Sequence, residues 1–279
     1  MEQNQDSKFE GSILPMTSIG SGMGIAVLPD VYCYTNQIVN LALVGNENEF
    51  VLVDAGMPKN ADEIIEMIAD HFGEHARPSA IVLTHGHFDH VGSLVGLLEK
   101  WRVPVYAHEL EIPFLNGKKD YPPGDPSVDS GLVAKMSPMF PNHGINIGDQ
   151  VEALPQDGSI PNMPDWKWIH TPGHTPGHVS FFREQDRALI VGDAFVTVKQ
   201  ESLYKVLTQT QEISGPPRYY TTDWDAAYES VKTLESLKPE IAVTGHGLPM
   251  MGKELSENLG YLTTNFREIA MPKESRYTN

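Results

Sequence analysis

The sequence predicts an α/β fold, and three observations support that class. Short apolar runs that suit buried strands alternate with segments in which apolar residues recur at helical spacing. The 279 residues are long for the commonest domain size but within the reach of one α/β domain. Apolar residues make up 40% and charged residues 20% of the chain, which is a globular composition. We therefore predict a single domain over residues 1–279.

The first half of the chain alternates predicted strands and helices. Asn60 with Glu63 three residues later has the pattern of a capping box, and the apolar residues that follow have helical spacing. A second helix is predicted from Val91 to Leu98, where apolar residues share one face. Strands are predicted at residues 24–29, 32–44, 50–54 and 80–84.

The second half contains two irregular segments among further regular elements. Repeated prolines interrupt residues 109–150, and residues 196–222 are similarly irregular, so both are predicted to be cover segments. Helices are predicted from Trp224 to Leu234 and from Leu255 to Ile269. Strands are predicted at residues 166–170, 178–182, 188–191 and 241–244.

Charge and cysteine content narrow the function classes. A formal charge of −17 and a pI near 4.9 disfavour nucleic acid and anionic membranes, which bind mainly to clustered Lys and Arg. Cys33 is the single cysteine, so neither an intrachain disulfide nor a thiolate metal cluster can form. Met1 to Ser12 are polar, and no run of eighteen uninterrupted apolar residues follows. We expect a cytoplasmic protein.

Four side chains of metal-ligand type stand within six residues, where a predicted buried strand ends and a helix begins. On a loop, His85 and His87 can turn toward one ion while Asp89 and His90 turn toward its neighbour. Imidazole and carboxylate favour zinc and similar transition ions over calcium or magnesium. An ordinary polar loop is the alternative, but such loops seldom concentrate ligand types so densely. The run therefore predicts a transition-metal site.

Three further candidate ligands each follow an apolar or aromatic strand-like run: His174, Asp193 and His246. Each alone would more often be a capping or turn residue. Because the first motif is present, a role as metal ligands is favoured for all three. His174 is the middle histidine of the near-repeat His-Thr-Pro-Gly-His-Thr-Pro-Gly-His, and it alone falls in the turn between the strands that His170 ends and His178 begins.

Together, His-x-His-x-Asp-His, Thr-Pro-Gly-His at 171–174, Gly-Asp at 192–193 and Gly-His at 245–246 resemble the metallo-β-lactamase superfamily. The resemblance spans about residues 24–266 and includes Asp54, which is similar to the family's non-ligand aspartate. It implies a four-layered αβ/βα sandwich with metals at one edge between two sheets. It also implies that His85, His87 and His174 hold the first ion, Asp89, His90 and His246 the second, and Asp193 bridges them.

Such a site implies a metal-dependent hydrolase with two divalent transition ions, expected to be zinc. Paired cations lower the pKa of a bridging water, and the resulting hydroxide attacks a carbonyl or phosphoryl centre. Asp89 is the predicted catalytic residue because it can orient the nucleophile or shuttle a proton. Cys33 lies in an apolar context and is expected to be an inert packing residue.

Members of the superfamily differ in substrate, so the substrate is predicted by subtraction. The charge disfavours a nuclease, and the lack of an export signal disfavours a β-lactamase. Val196 stands where lactonases of the quorum-quenching type carry tyrosine, and the basic positions of glyoxalase II are not matched. A small ester, thioester or lactone remains. The alternatives are a persulfide dioxygenase-like oxidoreductase, whose single iron is held by His85, His87 or their neighbours with His174 and Asp193, and a non-catalytic metal-binding protein.

We expect a small-molecule substrate as the partner, with no nucleic acid and no membrane. Because the metals discriminate little among ester-like centres, substrate choice is predicted to come from the two cover segments. Their large apolar and aromatic side chains suit an apolar pocket. The candidates for the pocket wall are Phe114, Met136, Met139, Phe140, Tyr204, Tyr219 and Tyr220.

Overall fold

A large mixed β-sheet forms the first half of the computed structural model, which describes residues 17–277. The polar start of the chain, Met1 to Ser12, lies outside the described residues. Within the described part, seven strands lie side by side in chain order, antiparallel from the first to the fourth and parallel from the fourth to the seventh. They are β1 (Gly24–Leu28), β2 (Val31–Asn36), β3 (Val39–Gly45), β4 (Phe50–Val53), β5 (Ala80–Val82), β6 (Val105–Ala107) and β7 (Val151–Ala153).

A second sheet follows in the other half of the chain. Its strands are β8 (Trp166–His170), β9 (Val179–Arg183), β10 (Ala188–Gly192), β11 (Ile241–Thr244) and β12 (Met250–Met251). Among residues 17–277 they lie in the order β12-β11-β10-β9-β8, with β10 and β11 parallel and the other pairs antiparallel. The parallel pair places the carboxyl ends of β10 and β11 at the same edge.

The helices within the described residues cover the outer faces of the two sheets or lie in the connections. Short connecting turns of 3-10 helix occur at Ser137–Met139 and Gly148–Gln150. The α-helices are α1 (Ala61–Phe72), α2 (Phe88–Val91), α3 (Leu94–Lys100), α4 (Ile112–Leu115), α5 (Leu132–Met136), α6 (Leu203–Thr208), α7 (Trp224–Ser236), α8 (Gly252–Thr264) and α9 (Phe266–Ile269).

The alternation of side chains along the strands produces four layers. Successive residues of a strand point to opposite faces, so Leu41 of β3 packs with the cluster of α1 and α3, while Ala42 packs toward the second sheet. In β10, Ile190 belongs to the core between the sheets and Leu189 packs with α7 and α8. The order is helices, sheet, sheet, helices, which confirms the predicted sandwich.

Some predicted element boundaries were wrong. The strand predicted over residues 32–44 is two strands, because Gln37 has a φ of +59° and turns the chain between β2 and β3. Helix α1 begins after Asn60 as predicted, but the Asn60 side chain makes no capping hydrogen bond, and its Oδ1 accepts instead from Gln37 Nε2. The final helix is divided at Asn265 into α8 and α9.

The two cover segments contain short helices and are tied to the C-terminal end of the chain. Helices α4 and α5 lie within residues 109–150, and α6 lies within residues 196–222. The Arg218 guanidinium pairs with Asp129 at 2.9 Å and donates to the carbonyls of Ile269 and Ala270. One partly buried cation therefore joins both segments to the end of α9. That the chain forms one domain stays a prediction.

Two further properties concern thiol chemistry and membrane binding, which the sequence disfavours. Cys33 is buried between the sheets, and burial raises the pKa of its thiol to about 12, so the thiol is protonated at neutral pH. Within residues 17–277, none of the helices has both the length and the apolar character needed to cross a membrane.

Candidate metal centre

Strand ends bring the predicted ligands to one edge of the sandwich. The first ligand loop follows β5 in the first sheet, and Asp193 and His246 follow the parallel strands β10 and β11 in the second. His174 lies in the turn between β8 and β9. Open α/β sheets bind ligands outside the carboxyl ends of such strands. The candidate ligands reach this edge because each of them stands just beyond a buried strand or in a turn between strands.

The structure brings all seven predicted ligand residues together, and each is at most 8% exposed. Within each of three overlapping trios, the potential ligand atoms lie within 4.8 Å of one another. Asp193 lies between the trios, because its Oδ2 is 3.5 Å from His174 Nε2 and 3.4 Å from His246 Nε2. The trios are His85, His87 and His174; His85, His90 and Asp193; and Asp89, His90 and His246.

Hydrogen bonds behind the imidazoles of the first loop orient their inward nitrogens. His90 Nδ1 lies 2.8 Å from Asp54 Oδ2, so it carries the proton and Nε2 faces the cluster. Thr84 Oγ1 donates its proton to Asp54, which leaves it to accept from His85 Nδ1 at 3.0 Å. Asp54, Thr84, His85 and His90 thus form one network, and both imidazoles direct Nε2 toward the cluster. Burial lowers the pKa of His90, but Asp193 and Asp54 outweigh burial and raise that pKa well above the ordinary value, so a cation must displace a proton here.

The remaining imidazoles are oriented by other parts of the chain. His246 Nδ1 donates to the Ile38 carbonyl at 2.9 Å. His174 Nδ1 lies 3.1 Å from Thr221 Oγ1, whose own proton goes to a backbone carbonyl, so His174 donates here too. His87 is turned the other way and presents Nδ1, 2.9 Å from His174 Nε2. All five histidines therefore direct one ring nitrogen toward the others.

The inward atoms fit cations. His85 Nε2, His90 Nε2 and Asp193 Oδ1 are buried, and within residues 17–277 none of the three has a hydrogen-bond partner. A buried polar atom without a partner costs about 1–3 kcal/mol, which a coordinated cation would remove. Nitrogen and carboxylate donors in this number suit zinc, iron or manganese. The donor set therefore fits the divalent metals that the sequence predicts.

The two sides of the cluster differ electrostatically. Burial lowers the pKa of His85 and of His174 well below the ordinary value and that of His87 to about 4, so these imidazoles are neutral at pH 7. Burial acts in the same direction on His246, but Asp193 and Asp89 outweigh it and raise its pKa to about 10. A cation that binds on the His246 side must therefore displace a proton.

Of the three histidines in the near-repeat, the structure places His174 in the cluster. His170 is exposed and stacks on His108 with ring centroids 4.3 Å apart. His178 Nε2 accepts the Asp193 backbone N–H at 2.8 Å, and burial lowers the pKa of His178 to about 3, so it stays neutral. His178 thus positions Asp193 and has no ring nitrogen free for a metal.

A cavity of about 300 Å³ adjoins the cluster on the side of His87 and His174. Part of its lining is aromatic: Tyr220 stacks on His87 with centroids 4.6 Å apart, and Phe114 stacks on Tyr121 at 4.0 Å. The exposed charged residues Lys119 and Asp120 also line it. The Tyr220 hydroxyl donates to the Pro141 carbonyl, so Tyr220 offers the cavity its ring.

The predicted pocket wall is only partly correct for this cavity. Phe114 and Tyr220 line it, whereas Tyr204 is 73% exposed and Met139 is 57% exposed, and neither lines it. Met136, Phe140 and Tyr219 pack in a hydrophobic cluster that joins the cover segments to Val39 and Phe88. Sequence reasoning missed Glu111 and Tyr121, which contact the ligand loops but stand in no recognisable motif.

Comparisons with known proteins agree with this geometry. A model of the metallo-beta-lactamase superfamily matches residues 34–246. The chain is also 49% identical to the probable metallo-hydrolase YflN of Bacillus subtilis (strain 168), over 92% of this chain and 98% of that one. The chain belongs to the metallo-β-lactamase superfamily. The sequence-based prediction of a metallo-hydrolase of this superfamily is confirmed.

Solved structures of the superfamily share the fold. The BLEG-1 B3 metallo-beta-lactamase has a TM-score of 0.58 at 24% identity, over 86% of this chain and 99% of that one. TTHA1623, solved in a di-iron-bound form, has a TM-score of 0.50 at 25% identity, over 86% of this chain and 96% of that one. Divalent metal binding is consistent with the superfamily and the ligand cluster.

Proposed function

We propose that this chain is a two-zinc hydrolase of small esters, thioesters or lactones. The observation that carries the proposal is the convergence of seven buried candidate ligand side chains, three of whose inward atoms have no hydrogen-bond partner among the described residues. His85, His87 and His174 would hold one ion, Asp89, His90 and His246 the other, and Asp193 would contact both.

Two divalent ions bound there would lower the pKa of a bound water and polarise the carbonyl oxygen of the substrate. Asp89 is the proposed proton carrier, and at 8% exposure it is the most accessible of the seven side chains. Although burial favours its protonated form, His246 and His90 hold the pKa of Asp89 below the ordinary value. The carboxylate is therefore ready to accept the proton of the attacking water and deliver it to the leaving group.

The cavity beside His87 and His174 supports an apolar acyl group in the substrate. Its 300 Å³ is at the small end of ligand pockets, and Phe114, Tyr121 and Tyr220 provide aromatic surfaces, whereas the charged Lys119 and Asp120 of its lining are exposed. An acyl group seated there would place its carbonyl carbon next to the ligands of the first ion. We also predict that the chain binds a small-molecule substrate, that it binds neither nucleic acid nor membranes, and that it is located in the cytoplasm.

A metal analysis followed by a substrate panel tests this function. Protein purified without added metal is analysed by mass spectrometry, and lactone, thioester, ester and phosphoester substrates are then compared before and after chelation. We expect the metal analysis to find zinc and the panel to show faster hydrolysis of carbonyl substrates than of phosphoesters. Chelation should abolish the activity, and added Zn²⁺ should restore it. A single iron with oxygen consumption on a persulfide would contradict the proposal and favour the oxidoreductase alternative.

The cavity is tested by widening it. Phe114→Ala should raise the rate for long acyl chains relative to short ones by about tenfold, the scale of one lost pocket contact, with bound metal unchanged. Tyr204→Ala is the matched control, because Tyr204 lies in the other cover segment and its side chain is exposed. An equal change of rate for all chain lengths in Phe114→Ala would place the acyl group elsewhere.

A further inference from the structure

A buried carboxylate outside the ligand set connects the two loops that carry the first-ion ligands. Glu111 is 0% exposed and stands in the first cover segment, immediately before α4. Its Oε2 accepts the Gly86 N–H at 2.9 Å, and Gly86 separates His85 from His87. Its Oε1 accepts the Thr175 hydroxyl at 2.9 Å and the Gly177 N–H at 2.8 Å, just beyond His174.

A fourth donor completes the arrangement. The Tyr121 hydroxyl donates to Glu111 Oε2 and also accepts the Gly86 N–H at 3.1 Å. The Tyr121 ring lies 4.5 Å from the His87 ring, between centroids. An ionised carboxylate is an acceptor with about four lone-pair sites, and here each oxygen accepts from two donors. Burial raises the pKa of Glu111 above the ordinary value, and the four hydrogen bonds oppose that shift by stabilising the ionised form.

We infer that Glu111 is a positioning residue that fixes His85, His87 and His174 relative to one another and so sets the affinity of the first ion. The inference rests on the proposed function, since it assumes that these three histidines bind a metal. Asp89 and His90 lie farther along the same loop as Gly86, but within the described residues the hydrogen bonds of the Glu111 carboxylate go only to Gly86, Tyr121, Thr175 and Gly177. None of these residues is a second-ion ligand or stands directly before or after one. Its effect should therefore be selective.

Two features make this role more than ordinary packing. Glu111 and its partner Tyr121 leave no room for a side chain at either glycine: a Cβ added to Gly177 would lie 2.8 Å from Glu111 Cγ, and one added to Gly86 would lie 2.6 Å from the Tyr121 hydroxyl. The two loops also belong to different sheets, because Gly86 follows β5 and Gly177 precedes β9. A single side chain thus sets the separation between ligands from the two halves of the sandwich.

Glu111→Gln is the informative substitution. The amide keeps the shape, but one of its two ends is an NH₂ group that can only donate, so the two donors at that end lose their acceptor. Partners that orient metal ligands typically contribute 10–100-fold to metal affinity. We expect the first-ion dissociation constant for Zn²⁺ to rise 10–100-fold and the second to change less than threefold.

Asp125→Asn is the matched control. Asp125 is also a buried carboxylate of the same cover segment, and it accepts four hydrogen bonds, from Ser127, Ser275 and Arg276. Those donors lie outside the ligand loops. The control should lower the melting temperature of the metal-free protein while both Zn²⁺ affinities stay as in the unmodified chain.

The experiment is competition of Zn²⁺ against a chromophoric chelator, with the two binding steps assigned by His87→Ala and His246→Ala. Visible absorption of Co²⁺-loaded protein is a second readout, and Glu111→Gln should alter the band that His87→Ala removes. Thr175→Val removes one donor at Oε1 and is the milder variant if Glu111→Gln does not fold; it should weaken the first ion by less than tenfold but measurably.

Two results would overturn the inference: unchanged affinities for both ions in Glu111→Gln and Thr175→Val, or equal weakening of both ions. Either can occur while the unmodified protein binds two ions, in which case the proposed function stands without Glu111. If the unmodified protein binds fewer than two ions, the proposed function fails and this inference fails with it.

Discussion

Asp54 provides a prediction in which stability and metal binding should separate. Its Oδ1 accepts the Thr84 N–H, and its Oδ2 accepts the Thr84 hydroxyl and His90 Nδ1, each at 2.8 Å. Asp54→Asn keeps the shape, and asparagine tolerates the φ of +63° at this position. The amide, however, can accept at only one of its two ends. With NH₂ in place of Oδ2, the Nδ1 proton of His90 has no acceptor, and His90 favours a proton on Nε2, the nitrogen that faces the cluster. With NH₂ in place of Oδ1, the Thr84 N–H loses its acceptor instead.

The expected consequence is a selective loss on the second-ion side. Partners of metal-binding imidazoles contribute 10–100-fold to affinity, or about 1.4–2.8 kcal/mol. We therefore expect the second Zn²⁺ to bind 10–100-fold more weakly in Asp54→Asn. The first ion should weaken by a smaller factor, because Asp54 reaches its ligand His85 only through Thr84. By contrast, Asp54→Ala leaves three buried donors without an acceptor, each costing about 1–3 kcal/mol, and should lower the free energy of unfolding as well.

Chelator competition gives the two affinities, and ¹⁵N NMR of the imidazoles reports the His90 tautomer directly. Asp186→Asn is the control, because Asp186 is bonded to Arg183 and to the backbone N–H of Ala188, away from the ligand cluster. Unchanged binding of both ions in Asp54→Asn, with His90 still protonated on Nδ1, would refute this reasoning.

Two further predictions follow from the same geometry. His174→Ala should lose the first ion. His178→Ala should retain both ions with weaker affinity, because the Asp193 N–H loses its acceptor. The measurement is the metal content of the purified variants, and retention of both ions by His174→Ala would show the assignment to be wrong. Gly245→Ala should abolish metal binding, because an added Cβ would collide with Asp193 Oδ1, and full metal content in this variant would contradict the packing. Its control is Gly260→Ala in α8, where an added Cβ meets open space; this variant should raise the free energy of unfolding, measured by chemical denaturation, by about 1 kcal/mol.

The sequence predicted the strand ends well, and it selected seven candidate ligands that the structure brings together, because both depend on local pattern. That these residues bind metal stays a prediction. Buried strands are continuous apolar runs, and the ligands stand just beyond them, as at Asp193 and His246. The two-residue turn at Gln37 could not be predicted, because no Gly or Pro marks the left-handed conformation there. Strands β6 and β7 were missed because three residues are too few to establish a period.

The contacts behind the ligands escaped prediction for a different reason. Glu111 is an ordinary charged residue in sequence, and its importance arises from four donors that come from positions 86, 121, 175 and 177. Tertiary convergence of this kind leaves no spacing to recognise. The pocket wall failed similarly: Phe114 and Tyr204 are equally bulky in the sequence, and packing alone decides which of them lines the cavity.

The metal content of the unmodified chain and of Asp193→Ala tests the central claim most directly, because Asp193 is the side chain that lies between the two sets of ligands. Mass spectrometry on protein purified without added metal should find two zinc equivalents per chain, and Asp193→Ala should retain less than one. One equivalent in the unmodified chain, or two in Asp193→Ala, would contradict a two-ion centre bridged by this carboxylate.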